Sequence, residues 1–114
     1  MRRGEVWVAS FRPWRGQEVG KVRPCLLIQA DWLTEAGGVT VLVLPLTTQS
    51  TVNGGGRLRI ALEPRDRLKR PSFVMVDRMR AIDRTLLAEG PLTSLTREEM
   101  HRVEKSLLAI LGIY

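Results

Sequence analysis

The sequence predicts a mainly β fold, a small β-barrel with one amphipathic α-helix packed against it at the C-terminus. Three observations predict it. Short apolar runs rich in β-formers are separated by polar, glycine-bearing turns, no strand–helix–strand rhythm appears, and only the last apolar residues switch to helical spacing. With 114 residues and 44% apolar content, the chain has material for one modest core, so it reads as a single domain over residues 1–114, without internal repeat, linker or low-complexity tract.

Each element follows from its own pattern. Val6, Val8 and Ser10 alternate with Trp7, Ala9 and Phe11, a half-buried strand that stops at Arg12-Pro13. Residues 14–21 (WRGQEVGK) form a polar loop leading to a second strand over 22–29, where Pro24 lies near the strand start, a position that accepts proline. A turn of helix over 31–35 is ended by Gly37-Gly38, and the almost wholly apolar run 39–46 (VTVLVLPL) reads as a buried central strand. Residues 52–56 form a flexible connection. Strand patterns recur over 57–62 and, after a charged stretch over 63–70, over 73–82, giving at least five strands. Thr96 followed by Glu99 fits a capping box, and Met100, Val103, Leu107, Ile110 and Leu111 recur at helical spacing behind it.

Composition narrows the function classes. Lys and Arg outnumber Asp and Glu 18 to 12, a net charge of +6, which favours polyanionic partners without naming one. The lone Cys25 excludes an intrachain disulfide and a thiol metal cluster. No apolar stretch approaches the roughly 20 residues of a membrane span, and Glu5 interrupts any signal core, so a soluble, cytoplasmic protein without metal, cofactor or membrane attachment is expected.

Three constellations carry candidate chemistry. Residues 16–24 bring a carboxylate and two cations on a flexible loop to a rigid strand, and the Arg23 guanidinium offers a planar fork of donors matched to phosphate oxygens; a solvated hairpin loop is the competing reading. Pro45-Leu46-Thr47-Thr48-Gln49 places hydroxyls and an amide at the exit of a buried strand, where a threonine can donate to a phosphoryl oxygen, or can merely satisfy backbone groups in a turn. Asp77-Arg78-Met79-Arg80 lies in an apolar strand whose alternation puts Asp77 and Met79 on one face and Arg78 and Arg80 on the other. Arg57 and Arg59 repeat that spacing, so two strands present either a basic face to phosphates or cross-strand salt bridges to Glu63, Asp66 or Asp77. His101, the only histidine, reads as solvent-facing, Trp7 as core, and Trp14 as the ring better placed to stack on a base. The cluster Arg65, Arg67, Lys69 and Arg70 reads as a solvated connection or as an extension of an RNA track.

Taken in order, Arg3-Gly4-Glu5-Val6-Trp7, Gly16-x-Glu18 with Gly20-x-x-Arg23-Pro24, Pro45-x-Thr47-Thr48-Gln49-Ser50, Arg80-x-Ile82-Asp83 and the closing helix resemble the MazF/PemK (Kid) family of type II toxin endoribonucleases along nearly the whole chain. The resemblance implies an SH3-like (PemK/CcdB-type) barrel that pairs as a homodimer and cuts single-stranded RNA at a short sequence without metal. The ribose 2′-hydroxyl attacks, leaving a 2′,3′-cyclic phosphate and a 5′-hydroxyl, so DNA resists. It also implies an acidic MazE/PemI-like antitoxin as partner. By position, Arg23 and Thr47 take the catalytic roles around the phosphorane, and Glu18 matches a loop glutamate that serves as candidate base. Trp14, Gln17, Lys21, Thr48, Gln49, Asp77, Arg78 and Arg80 form the expected RNA-contacting set.

Two departures limit the transfer. Some PemK-like members carry histidine where this chain has Gln17 and arginine where it has Met75, so the acid–base scheme built on those residues does not operate here, although Asp77 matches its aspartate. Two other readings stay open: a gyrase inhibitor resembling CcdB, which also ends near a Gly-Ile like Gly112-Ile113, and a nucleic-acid-binding barrel without chemistry.

Overall fold

A computed structural model of the chain describes residues 1–11, 21–49 and 58–113, with the Lys21 side chain outside that description. The apolar run expected at the centre is β3 (Thr40–Thr47), and it is bonded on both edges. On one edge lies β2 (Lys21–Leu27), with Cys25 opposite Pro45 and Leu27 opposite Val43. The other edge is shared. β6 (Arg80–Asp83) takes Thr40 to Val43, and β5 (Ser72–Met75) takes Leu46 and Thr47. β1 (Glu5–Phe11) follows β2, β7 (Leu87–Ser94) follows β1, and β4 (Arg59–Leu62) pairs outside β5, all antiparallel. The sheet order is thus β4-β5-β3-β2-β1-β7, with β6 beside β3.

Alternation explains why β3 is apolar throughout. Leu44 and Leu46 join Val6, Leu26, Val74 and Leu92 in one buried cluster, whereas Val41 and Val43 join Ala9, Phe11, Cys25 and Leu27 in another, so the central strands are buried on both faces. Helix α2 (Arg97–Ile110) covers the first cluster through Met100 and Val103. Its capping box is complete: Thr96 Oγ1 accepts from the Glu99 N–H at 3.1 Å and Glu99 Oε1 accepts from the Thr96 N–H at 2.9 Å. The helix stops at Gly112, whose φ of +75° permits Ile113 N–H to reach Leu108 O (2.9 Å) and Gly112 N–H to reach Ala109 O (3.1 Å). The Gly-Ile ending is therefore a helix terminator. Helix α1 (Asp31–Glu35) occupies the expected turn between β2 and β3.

The opening Arg3-Gly4-Glu5 motif is a clasp. Gly4, at φ +93°, donates to Leu27 O and accepts from the Leu95 N–H, both at 2.8 Å, tying β2 to the chain beyond β7. Arg3 pairs with Glu104 on α2 at 2.8 Å and donates from Nε to Ile28 O at 3.0 Å.

The structure corrects several expectations. The expected strand over 73–82 is broken by a 3₁₀ turn at Val76–Arg78, so the two-face alternation of Asp77 to Arg80 does not hold. β4 begins at Arg59, and Arg57 lies outside the described residues. β7 is not among the strands the sequence patterns predict; its Gly90-Pro91 sits where the strand slips register between Val6↔Thr93 and Val8↔Glu89. Trp7 is half-buried rather than core, its Nε1 donating to Glu5 Oε1 at 3.0 Å. Ile110 and Leu111 are 41% and 52% exposed, so the apolar stripe of α2 is buried only in its first turns. The end strands β4 and β7 share no ladder; instead the connection after β4 bridges them, Arg67 N–H donating to Leu92 O at 2.9 Å. Among the described residues, no helix is long and apolar enough to cross a membrane.

Candidate active site

The β2–β3 ladder ends with Cys25 against Pro45, and Arg23 and Thr47 are the residues two positions beyond that last pair on their strands. By alternation both lie on the sheet face away from Leu26 and Leu44, which pack beneath α2. They line one cleft of about 390 Å³ together with Pro24, Leu46, Thr48, Gln49, Arg59, Ser72, Met75 and Arg78. Thr47 Oγ1 accepts from the Gln49 N–H at 3.2 Å, which orients the hydroxyl and leaves its own proton free to donate. Turn chemistry and a ligand-facing donor thus coexist in one side chain.

The cleft is cationic. Arg23, Arg59 and Arg78 all line it, and no carboxylate does among the described residues. Arg78 Nε lies 3.7 Å from Asp77 Oδ2, a loose ion pair that leaves most of the guanidinium available. Arg59 Nε and Nη1 are buried without a hydrogen-bond partner among the described residues.

Of the expected site, then, Arg23, Thr47, Thr48, Gln49 and Arg78 come together. Asp77 adjoins the cleft only through Arg78. Arg80 does not line it: its guanidinium stacks 4.8 Å from the Phe11 ring centroid, on the part of β3 that pairs with β6. Lys21 pairs with Phe11 at the start of β2. Trp14, Gln17 and Glu18 lie outside the described residues. Of the cluster expected to be solvated or RNA-facing, Arg65 is held within the fold by Glu99, whereas Arg67, Lys69 and Arg70 are exposed, Arg67 pairing with Glu89 at the surface. His101 is exposed on α2, as expected. Among the described residues no three His, Cys, Asp or Glu side chains converge to hold a metal ion.

Sequence reasoning raises Arg59 only as part of a basic strand face that could equally form salt bridges, leaves it out of the expected RNA-contacting set, and does not point to Ser72 or Met75 as cleft residues. The signal for Arg59 was present: in Arg59-Ile60-Ala61-Leu62, Ile60 and Leu62 face the α2 cluster, so alternation turns Arg59 to the cleft side.

Fold and cleft together define a small basic antiparallel β-protein with guanidinium groups gathered at its strand ends. Residues 2–111 match the PemK-like, MazF-like toxin of type II toxin–antitoxin systems, and the chain belongs to that family. A probable endoribonuclease MazF of Mycolicibacterium smegmatis is 35% identical over 113 residues, covering 99% of this chain and 98% of the relative. Among solved structures, a chain of the MazE–MazF complex from Deinococcus radiodurans superposes with a TM-score of 0.79 at 22% identity, covering 100% of this chain and 97% of that one. The Mycobacterium tuberculosis toxin MazF-mt6 superposes with a TM-score of 0.76 at 19% identity, covering 96% and 98%. At those identities the two structures speak for the fold.

Proposed function

We propose that this toxin is a metal-independent endoribonuclease that cuts single-stranded RNA through Arg23 and Thr47. The observation that carries the reading is their placement on neighbouring strands in one cleft lined by three guanidinium groups. In the reaction the 2′-oxygen bonds to the adjacent phosphorus, its proton passes to a base, and the bond from phosphorus to the 5′-oxygen breaks as that oxygen gains a proton. Arg23 holds the non-bridging oxygens as negative charge gathers on them, and the Thr47 hydroxyl donates to one of them. Arg23 serves as a charge stabiliser rather than a proton donor, since a guanidinium is too weak an acid to give up its proton readily. Glu18 is the candidate base. Thr48, Gln49 and Arg78 position the strand, with Trp14, Gln17 and Lys21 as its further contacts.

The active form is a homodimer in the cytoplasm, silenced by an acidic antitoxin of the MazE/PemI kind, whose charge complements the +6 chain. The MazE–MazF relative supports that partner.

The test is incubation with a long mixed-sequence RNA in EDTA, with the new ends mapped. Wild-type protein yields 5′-hydroxyl and cyclic-phosphate ends at a recurrent sequence. Arg23→Ala and Thr47→Ala each lower the rate by ~100-fold or more, with folding intact. Wild-type rates in Arg23→Ala, or cutting that stops in EDTA, sink the assignment.

A further inference from the structure

We infer that Arg59 is a substrate-binding residue that holds a phosphate flanking the scissile one, an inference that rests on the RNA-cleaving reading above. Two donors of its guanidinium, Nε and Nη1, are buried with no partner among the described residues, although the side chain lines the cleft. Buried charged donors without an acceptor are costly, so a fold retains them where a ligand completes them. The neighbouring arginines show the contrast. Arg65, Arg67 and Arg3 are each held by a carboxylate of the chain, whereas no described carboxylate lines the Arg59 cleft.

Position says which phosphate. Arg23 and Thr47 sit on adjacent strands, β2 and β3. Arg59 sits on β4, two strands beyond Thr47 in the order β4-β5-β3, on the same face. Thr47 is opposite Phe73 and Phe73 opposite Ala61, with Arg59 two residues further along β4; at ~4.8 Å between strands and ~3.3 Å per residue its backbone is ~12 Å from that of Thr47. A long guanidinium side chain starting there reaches into the cleft toward a phosphate flanking the one held by Arg23 and Thr47. Directly across the ladder from Arg59 is Met75, an apolar side chain in the same cleft, within reach of the same place.

The test uses RNA made uncleavable by a single 2′-deoxy sugar at the cut site, with binding followed against salt. Arg59→Met is expected to weaken binding ~10–100-fold at low salt and to lower the salt slope by about 0.7. On cleavable RNA the loss falls in KM and far less in kcat. One neutral methylphosphonate next to the scissile position should weaken wild type by a similar factor and add little in Arg59→Met. The melting temperature should not fall, since an unpaired buried charge is removed. The double variant Arg59→Met with Met75→Arg should recover the slope, and it tests the site again if the single variant folds poorly. Unchanged binding and slope in Arg59→Met overturn the inference while wild-type cutting stands. A loss confined to kcat overturns it by moving Arg59 to the scissile phosphate, and failure of wild type to cut any RNA rejects the underlying reading instead.

Discussion

Arg65 and Arg23 carry the same side chain into opposite circumstances, and the difference is set by what faces them. Arg65 makes two parallel bonds to Glu99, at 2.9 and 2.7 Å, and a third from Nε to Thr93 Oγ1 at 3.3 Å. Its donors are consumed by the fold. Arg23 lines an open cleft beside a threonine hydroxyl, where planar donors are left for an oxyanion. Cys25 shows the same dependence on surroundings. It is two residues from Arg23 yet fully buried, and burial pushes its thiol up to about 12. Because the thiolate is the reactive form, Cys25 should resist a disulfide reagent at pH 8 in the native protein and react stoichiometrically once the chain is unfolded in denaturant. Rapid labelling of the native protein, followed by absorbance, would show that the strand opens locally.

At the scale of elements, β7 depends on a close approach that only glycine allows. A Cβ on Gly90 would lie 2.4 Å from Trp7 Cδ2, so the indole of β1 occupies the space that any side chain there would need. Gly90→Ala should cost about 1–3 kcal/mol by forcing ring and strand apart, read as a lower urea midpoint at unchanged slope. Combining it with Trp7→Leu should return part of the loss; additive costs would mean that the ring is not the obstacle. This contact also explains why β7 escaped a reading of the sequence. Period-2 patterning exposes β1, a continuous run of apolar β-formers exposes β3, and the capping box exposes α2. In β7 the pattern is broken by Gly90-Pro91 at the register shift, and the fit that seats it lies on another strand, 83 positions (90 − 7) away in the chain. The site divides in the same way. Thr47 and Arg23 stand in ordered motifs, whereas Arg59 becomes a cleft residue only when β4 pairs with β5, a non-local event.

Across the whole molecule, the sheet ends that do not pair as strands are joined by charge. Arg65 follows β4, Thr93 lies on β7, and Glu99 opens α2, so the Arg65–Glu99 pair ties both ends of the sheet to the helix over its core. The hydrogen bond from Arg65 holds the Glu99 carboxyl below its ordinary value of 4.5, burial opposing and the Thr96 backbone bond adding to it. The unfolded chain therefore takes up this proton at a higher pH than the folded one. Between the two values the unfolded state binds more protons, so stability rises with pH there: the contribution is complete above about pH 4.5 and is lost as pH falls through the lowered value. Asp83, lowered from 3.8 by its bonds to Thr85, adds to the same acid limb but is fully exposed and not part of the tie. Glu99→Gln keeps an acceptor for Arg65 and the cap while removing the titration. It should be less stable than wild type by about 1–2 kcal/mol at pH 7, the excess of a charged over a neutral hydrogen bond, and the two urea midpoints should converge as pH falls below the ordinary value of 4.5. Midpoints that stay parallel over that range would place the tie in the packing of Arg65 and Thr93 rather than in the charge of Glu99, and the barrel-like curl would then not depend on pH through this pair.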